Sequence, residues 1–299
     1  MTTLRCPLAD DEVLIFLHVP KTSGLSFGNN IQQQFRTEEV LISYTWGFFD
    51  DAPPDVLATY RLFCGHAMYS QIPQNGSRKP VFITILRDPV ERALSFYAHV
   101  RRMNKSQYPE MARYVSFEEF LNNPRTHKEI SNTMTRYIAG KPPEPADELD
   151  VAKAHLEAMP FFGLQDRFED SVRLMNYTFA WERSFGVGDR NINPKRPTRD
   201  TISPDALAQV EAINQQDIAL YNFARTIFAR RYEQMLRETN RRPPEIRNDR
   251  PQLKRAIFST VTTEERHGPV VVVWLKALYR YFVPTKARLW LRNLREPTR

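Results

Sequence analysis

Cysteine is scarce in this sequence of 299 residues. Its two cysteines, Cys6 and Cys64, are too few for a disulfide framework, and neither has the spacing of a zinc ligand. This scarcity excludes the disulfide-rich secreted class and is typical of a protein from a reducing compartment. No cluster of His, Cys and Asp has metal-ligand spacing either, so we expect no metal.

Long apolar runs are also missing. Residues 1–11 contain no apolar core of a signal peptide. The apolar segment 270–283 carries Lys and Arg and ends at Pro284, so it is too short and too charged to span a bilayer. The ten glycines form no Gly-x-x-x-x-Gly-Lys-Ser/Thr phosphate loop. The sequence therefore excludes a membrane-spanning protein and a standard Walker A nucleotidase.

The composition is that of a folded protein with an uneven charge distribution. Hydrophobic residues make up 41%, charged residues 26% and aromatic residues 12%, which supports a sizeable core and excludes a disordered chain. The net charge of +7 comes from residues beyond Leu236, and the rest of the chain is close to neutral. We predict one domain over residues 1–236 and a basic, partly amphipathic helical tail over residues 237–299.

Apolar runs alternate with helical patterns along the predicted domain. The runs at Val13–Val19, Tyr60–Cys64, Val81–Leu86 and Phe161–Leu164 indicate strands. Helices are predicted over residues 24–35, 89–103, 116–121, 130–137, 151–159 and 169–181, and a helix or helix pair over 204–236. This alternation predicts an α/β fold with a mainly parallel sheet flanked by helices.

The segment Val13–Ser26 passes from a strand through a tight polar turn into a helix. Backbone N–H groups of such a turn point outward, and the helix N-terminus adds positive dipole character. Lys21 adds a full charge, while Thr22, Ser23 and Ser26 add hydroxyl donors. The turn has the features of an anion cradle, although an ordinary capped turn with a solvated lysine has the same spacing.

A second strand–turn–helix unit places Arg87 at a strand end and Ser95 about two helical turns into the next helix. The guanidinium of arginine is a planar fork that suits a phosphate, and Ser95 adds a hydroxyl on the same side. The alternative is that Arg87 pairs with Asp88 or Glu91 and that Ser95 only packs. Two anion-binding turns on one sheet would hold the two ends of a nucleotide bisphosphate.

Taken together, the segments His18–Ser26 and Leu86–Tyr97 resemble the two cofactor motifs of sulfotransferases. The closest resemblance is to the carbohydrate branch, which includes heparan sulfate 2-O-sulfotransferase and bacterial relatives. It implies a P-loop-NTPase-like core, the cofactor 3′-phosphoadenosine 5′-phosphosulfate (PAPS), the product adenosine 3′,5′-bisphosphate (PAP), and no metal. The resemblance covers about residues 13–236.

The resemblance also assigns cofactor contacts residue by residue. Arg87 and Ser95 would hold the 3′-phosphate. Leu25 stands where the family usually carries threonine, so one hydroxyl to the phosphosulfate is missing. The 5′-phosphosulfate would be held by Lys21, Thr22, Ser23, Gly24, Leu25 and Ser26.

Two residues are expected to carry the chemistry. Cys64-Gly-His66 resembles the Gly-His segment that carries the catalytic base in the carbohydrate branch, and the ordinary pKa of histidine, about 6.5, suits proton abstraction. A structural histidine bonded to backbone is the alternative. Lys21 would neutralise charge on the leaving phosphosulfate oxygen. The implied function is in-line transfer of a sulfuryl group to a hydroxyl acceptor, foremost on a carbohydrate.

Other residues of these segments are weaker candidates. We expect His18 to support or pack against the turn. His99 is expected to be solvated or to cap a helix, and the alternative is that it reaches the acceptor. Asn132 and Arg136 would either contact cofactor or acceptor, or lie on a helix surface.

The tail offers a further set of expectations. Residues 270–295 mix Trp, Tyr and Leu with Lys and Arg, which suits a helix at a membrane surface; packing on the domain or on another subunit is the alternative. No nucleic-acid-binding module is recognised, so we expect no nucleic-acid partner. The resemblance, without a leader segment, implies a bacterial enzyme that is cytoplasmic or peripheral at the inner membrane.

Three other functions stay open. A kinase-like enzyme would use ATP, and it should show a Walker A loop and a magnesium site. A non-catalytic protein at a membrane would bind cofactor or lipid without transfer. A sulfotransferase acting on tyrosine or on a lipid would share both cofactor motifs, because acceptor contacts lie in loops outside those motifs.

Overall fold

The computed structural model describes residues 4–44, 56–74, 76–102, 116–141, 147–181 and 197–239. Within them, five strands form one parallel sheet in the order β2-β3-β1-β4-β5. This confirms the predicted α/β fold with a mainly parallel sheet. The strands are β1 (Glu12–Leu17), β2 (Val40–Ser43), β3 (Leu62–Gly65), β4 (Lys79–Leu86) and β5 (Phe161–Leu164).

Helices connect the strands and flank the sheet. The four strands predicted from apolar runs are present, with ends shifted by no more than two residues. The helices of the described residues are α1 (Gly24–Gln32), α2 (Pro89–Arg102), α3 (Phe117–Asn122), α4 (Pro124–Ile130), α5 (Thr133–Ala139), α6 (Glu148–Ala158), α7 (Phe168–Phe179), α8 (Pro204–Ala212) and α9 (Gln215–Thr239).

The central strand is β1, which lies between β3 and β4. Its residues 13–17 are buried, which explains an apolar run with no polar alternation. Because the strands are parallel, their carboxyl ends share one edge of the sheet, where ligands bind in open α/β folds. The residues that follow β1, β2, β3 and β4 at this edge are His18, Tyr44, His66 and Arg87.

The sequence pattern predicts no strand at β2, yet this edge strand pairs with β3. Leu41 and Ser43 are buried, whereas Ile42 is exposed. A run of four residues that is half buried gives too weak a pattern to be distinguished from a loop.

The short helix predicted over residues 130–137 is present as α5, but it begins only at Thr133, because α4 ends at Ile130. Asn132 lies between them in the left-handed region, with a φ of 43°. Its Oδ1 accepts hydrogen bonds from the backbone N–H groups of Gln216 (3.1 Å) and Asp217 (3.2 Å). The segment predicted as a helix or helix pair is the pair α8 and α9.

In the described residues, two hydrophobic cores hold the sheet and the helices together. The larger core contains the sheet with α1, α5, α6, α7 and α9. A smaller core is built by α2, α3, α8 and Ile130, at the end of α4. Thus α2, which begins two residues after Arg87, is anchored in a different core from α1.

The helix α9 ends at Thr239, and the predicted tail, 237–299, lies outside the described residues from residue 240 onward. No helix in the described part of the chain combines the length and apolar character needed to cross a bilayer.

Candidate active site

The loop between β1 and α1 has an unusual backbone. Lys21 and Ser23 both have a φ of 72°, a left-handed conformation that costs a non-glycine residue about 1 kcal/mol. The first hydrogen bond of α1 runs from Phe27 N to Ser23 O. The first N–H groups of a helix have no acceptor inside it, so those of residues 24–26 are available to an anion. Backbone strain of this kind occurs at ligand-binding turns.

The hydroxyl groups of the loop differ in role. Thr22 is fully buried, and its Oγ1 donates to Val19 O at 2.8 Å. The Thr22 hydroxyl therefore stabilises the loop, and only its backbone N–H remains for an anion. The Ser23 side chain makes no capping bond to α1, and Ser26 is partly buried. Leu25 is 56% exposed, so an apolar side chain lies at the start of the helix where the family pattern has a hydroxyl.

The surroundings of Lys21 disfavour the protonated form of its ammonium group. Burial, together with the positive charges of Arg102 and Arg87, lowers the pKa of Lys21 to about 8. A bound anion would oppose these effects, since an opposite charge favours the protonated ammonium. The site thus contains a cation whose protonated form an anionic ligand would stabilise.

Arg87 joins the two predicted turns directly. Its Nη1 donates to Lys21 O at 3.2 Å, while its Nη2 lies 3.7 Å from Glu91 Oε2. Asp88 is bound by Arg199, with Nη2 at 3.0 and 3.1 Å from the two carboxylate oxygens. The alternative pairing with Glu91 is present but long, and the guanidinium of Arg87 lies against the backbone of the first turn.

The helix α2 contributes two more polar groups. Ser95 is partly buried, about two turns into the helix. His99 follows one turn later, and its Nδ1 is buried with no hydrogen-bond partner among the described residues. Burial lowers the pKa of His99 to about 4, and the positive charges of Lys21 and Arg102 contribute. The ring lies partly buried near Lys21, so His99 is not the solvated side chain that the sequence interpretation favoured.

His66 is oriented by a backbone hydrogen bond. Its Nδ1 lies 2.8 Å from His18 O, and a carbonyl can only accept, so Nδ1 carries the proton in this bond. Nε2 is then the unprotonated nitrogen of the neutral ring. Burial lowers the pKa of His66, partly offset by the bond to His18 O, and the charge of Lys21 lowers it further. The ring is therefore neutral near pH 7, with the tautomer that a general base at Nε2 requires.

Asn132 and Arg136 have structural roles in the described residues. Asn132 binds the start of α9, as shown above. Arg136 donates from its guanidinium to the backbone carbonyls of Ser131 and Lys128. These contacts favour a structural role for both residues over a contact with cofactor or acceptor.

Tyr44 was missed by the sequence interpretation. It follows β2, is 38% exposed, and its ring centroid lies 5.3 Å from that of His66. Burial raises the pKa of Tyr44 to about 12, so its phenol stays neutral. The only signal was the short run before it, which did not identify β2.

The described residues contain no group of three or more His, Cys, Asp or Glu side chains that could hold a metal ion. The groups described above supply cations, hydroxyls, backbone N–H groups and a neutral imidazole. This arrangement can bind a polyanion and accept a proton beside it.

Comparison with known proteins identifies similar chains. A family model described as "Sulfotransferase family" matches residues 6–224. Heparan-sulfate 6-O-sulfotransferase 2 of Danio rerio is 26% identical over 84% of this chain, which spans 64% of the length of that relative. Heparan-sulfate 6-O-sulfotransferase 1 of Homo sapiens is 26% identical over 77% of this chain and 69% of its own length. These relatives are 6-O rather than 2-O enzymes, within the carbohydrate branch that the motifs resemble.

Among solved structures, mouse sulfotransferase SULT7A1 complexed with PAP is similar at 12% identity and a TM-score of 0.35. The match covers 69% of this chain and 64% of that one.

Proposed function

The chain belongs to the sulfotransferase family, and on that basis we propose that it transfers the sulfuryl group of PAPS to a hydroxyl on a carbohydrate. PAPS supplies the activated sulfuryl group and leaves as PAP. The proposed acceptor class follows from relatives that are named for heparan sulfate. No metal has a role in this proposal.

The observation that carries the proposal is the contact between the two anion-binding turns. Arg87 Nη1 donates to Lys21 O at 3.2 Å, so a cation at the end of β4 lies beside the cradle at the end of β1. A ligand with one anionic group would need only one of these turns. A nucleoside with phosphates at both ends would use both, and PAP is such a ligand.

We assign the 5′-phosphosulfate to Lys21 and to the backbone N–H groups at the start of α1. Ser23 and Ser26 are the hydroxyls that remain for this end, because the Thr22 hydroxyl is bound to Val19 O. We assign the 3′-phosphate to Arg87 and Ser95. The depressed pKa of Lys21 fits this assignment, since the dianionic end of the ligand would restore its charge.

His66 would act as the general base. Its Nε2 accepts the proton of the acceptor hydroxyl as the acceptor oxygen forms a bond to sulfur. The bond from sulfur to the bridging oxygen breaks, and its electron pair stays on the phosphate of PAP. Lys21 would stabilise the charge that develops on that oxygen. Positioning and charge stabilisation dominate transfers of this type.

Calorimetric titration of the protein with PAP, AMP and ATP tests the cofactor class. We expect PAP to bind at least about tenfold more tightly than AMP, because only PAP engages Arg87. Equal or tighter binding of ATP would replace this proposal with a kinase-like site.

Transfer of radiolabelled sulfate from PAPS to a panel of glycans, a tyrosine peptide and a lipid alcohol tests the acceptor class. We expect label on glycans and its loss in His66→Ala, with PAP affinity unchanged. Label only on the peptide or the lipid would overturn the carbohydrate assignment. Near-normal turnover in His66→Ala would remove His66 as the base.

A further inference from the structure

A second histidine, His18, is enclosed at the centre of the site. Its side chain is buried, at 5% exposure. The ring centroid lies 4.7 Å from that of His66 and 5.5 Å from that of Tyr44, and the ring stacks on Phe16 at 5.9 Å and 6°. Its Nδ1 is buried without a hydrogen-bond partner in the described residues. Burial of this nitrogen costs free energy of folding. A phenylalanine ring would fill similar space without that cost.

The imidazole of His18 also packs closely against Gly24, the first residue of α1. A methyl group placed on Gly24 would lie 1.9 Å from His18 Cδ2 and 2.3 Å from His18 Nε2. Such distances are far inside van der Waals contact, so the glycine allows α1 to begin directly against the imidazole. One face of the site, the cradle, is therefore packed on His18.

The backbone of His18 is bonded to the segment on the other side of the site, which carries His66. His18 N donates to Gly65 O at 3.0 Å, and His18 O accepts from His66 Nδ1 at 2.8 Å. The end of β1 is thus bonded twice to the segment that carries the proposed base. A shift of His18 would move His66 and Gly24 relative to each other.

We propose that the imidazole of His18 is a positioning residue that fixes the distance between His66 and the cradle beginning at Gly24. This inference rests on the proposed function, in which His66 takes a proton from an acceptor placed beside the cradle. His18 itself touches neither proton nor sulfur in this proposal. Its removal should affect turnover far more than cofactor binding, because geometry at the reacting centre governs the rate.

The pH dependence of turnover distinguishes positioning from general stability. Titratable groups that face His66 include His18, Lys21 and Tyr44. Removing the His18 ring admits water beside His66, so the pKa of His66 should rise toward its ordinary value. The acid limb of kcat/KM, which reports the base in the free enzyme, should then move to higher pH.

The first experiment compares His18→Ala, His18→Phe and the control His155→Ala by PAP titration and by pH–rate profile. His155 also bonds a backbone carbonyl through Nδ1, Ile138 O at 2.8 Å, and stacks on Tyr69. We expect His18→Ala to lower kcat about tenfold or more, shift the acid limb upward and keep PAP affinity within about threefold. His18→Phe should restore most of the rate, and His155→Ala should leave the limb unmoved.

The second experiment is a double-mutant cycle with Gly24→Ala. The added methyl should weaken PAP binding through its clash with His18, and His18→Ala should relieve part of that loss in the double variant. Additive effects on PAP affinity would overturn the contact between the cradle and His18.

Nitrogen-15 NMR of the imidazoles in the ligand-free protein gives a readout that does not depend on catalysis. We expect the Nδ1–H tautomer of His66 in the wild type and a higher pKa of His66 in His18→Ala. An unchanged pKa and an unmoved acid limb would overturn the inference. Wild-type protein that binds no PAP and transfers no sulfate would instead overturn the proposed function.

Discussion

Lys21 combines a left-handed backbone with an ammonium whose pKa is lowered in the free protein. The left-handed φ of 72° places the residue in the turn, and the surroundings lower its pKa to about 8. An ammonium with this pKa is mostly protonated at neutral pH and mostly neutral at pH 9. Cofactor binding, which favours the protonated form, therefore takes up protons above pH 8.

We predict that PAP affinity is flat from pH 7 to about 8 and falls as the pH rises further. The sign follows because the bound anion raises the pKa of Lys21 above its value in the free protein. Calorimetry across this range provides the measurement. Lys21→Arg should bind PAP with little pH dependence up to about pH 9.5, since arginine stays charged; parallel curves for the two proteins would contradict the assignment to Lys21.

Arg87 allows a test that separates the two ends of the cofactor. Arg87→Ala should weaken PAP binding by about 10- to 100-fold, the range of one charge-assisted contact, and should leave AMP binding nearly unchanged. Titration of both nucleotides measures the difference. The matched control is Arg101→Ala on the following helix α2, where the guanidinium lies over the Tyr97 ring. Equal losses for PAP and AMP would mean that Arg87 only supports the cradle.

At the scale of elements, the junction between α5 and α9 has a defined polar centre. Asp217 is fully buried and accepts three hydrogen bonds from the start of α5. The donors are Met134 N at 3.1 Å, Thr135 N at 2.7 Å and Thr135 Oγ1 at 2.8 Å. The carboxylate thus caps one helix from within another, which ties the two helices in a fixed orientation.

Asp217→Ala should lower the free energy of unfolding by about 3 kcal/mol, because it leaves buried donors without an acceptor. Asp217→Asn keeps one acceptor oxygen and should lose less. Urea denaturation measures both variants. The exposed Asp205 in the first turn of α8 supplies the control, for which Asp205→Asn should change stability by no more than about 0.5 kcal/mol. An Asp217→Ala variant as stable as that control would contradict the capping role.

The elements also show what a sequence can and cannot predict. Lys21 and Arg87 were identified because each lies in the turn after an apolar strand, which places it at the edge of the sheet. His66 was identified as a base because Cys64-Gly-His66 resembles the Gly-His segment of the family. The break at Asn132 was not predictable, because its cause is a set of hydrogen bonds to residues 216 and 217, distant in sequence. The contact of His18 with Gly24 and His66 likewise depends on the pairing of β1 with β3. Long-range register is the information that local patterns lack.

For the whole molecule, the basic tail remains a prediction. We propose that residues 270–295 bind an anionic membrane surface, as their mix of aromatic and basic residues suggests. The proposed location of the enzyme is the cytoplasm or the inner membrane face.

The full chain should sediment with anionic vesicles, and the variant Lys276→Glu/Arg280→Glu/Lys286→Glu/Arg288→Glu should bind them at least about tenfold more weakly. Neutral phosphatidylcholine vesicles and high salt serve as controls. Equal sedimentation of both proteins, or a change in oligomeric state without a change in vesicle binding, would favour tail packing on a protein surface.

The division into two cores has a thermal consequence. The cradle at α1 depends on the large core, whereas Ser95 and His99 lie on α2, which is anchored in the small core. Parts of a fold can open below the global free energy of unfolding, and we expect α2 with its small core to open first on warming, which would loosen the Ser95 side of the 3′-phosphate site. Selectivity for PAP over AMP should then decline before circular dichroism reports unfolding. The highest temperature at which the protein works would then be the one at which it loses selectivity for PAP over AMP. That temperature would lie below the one at which the sheet unfolds.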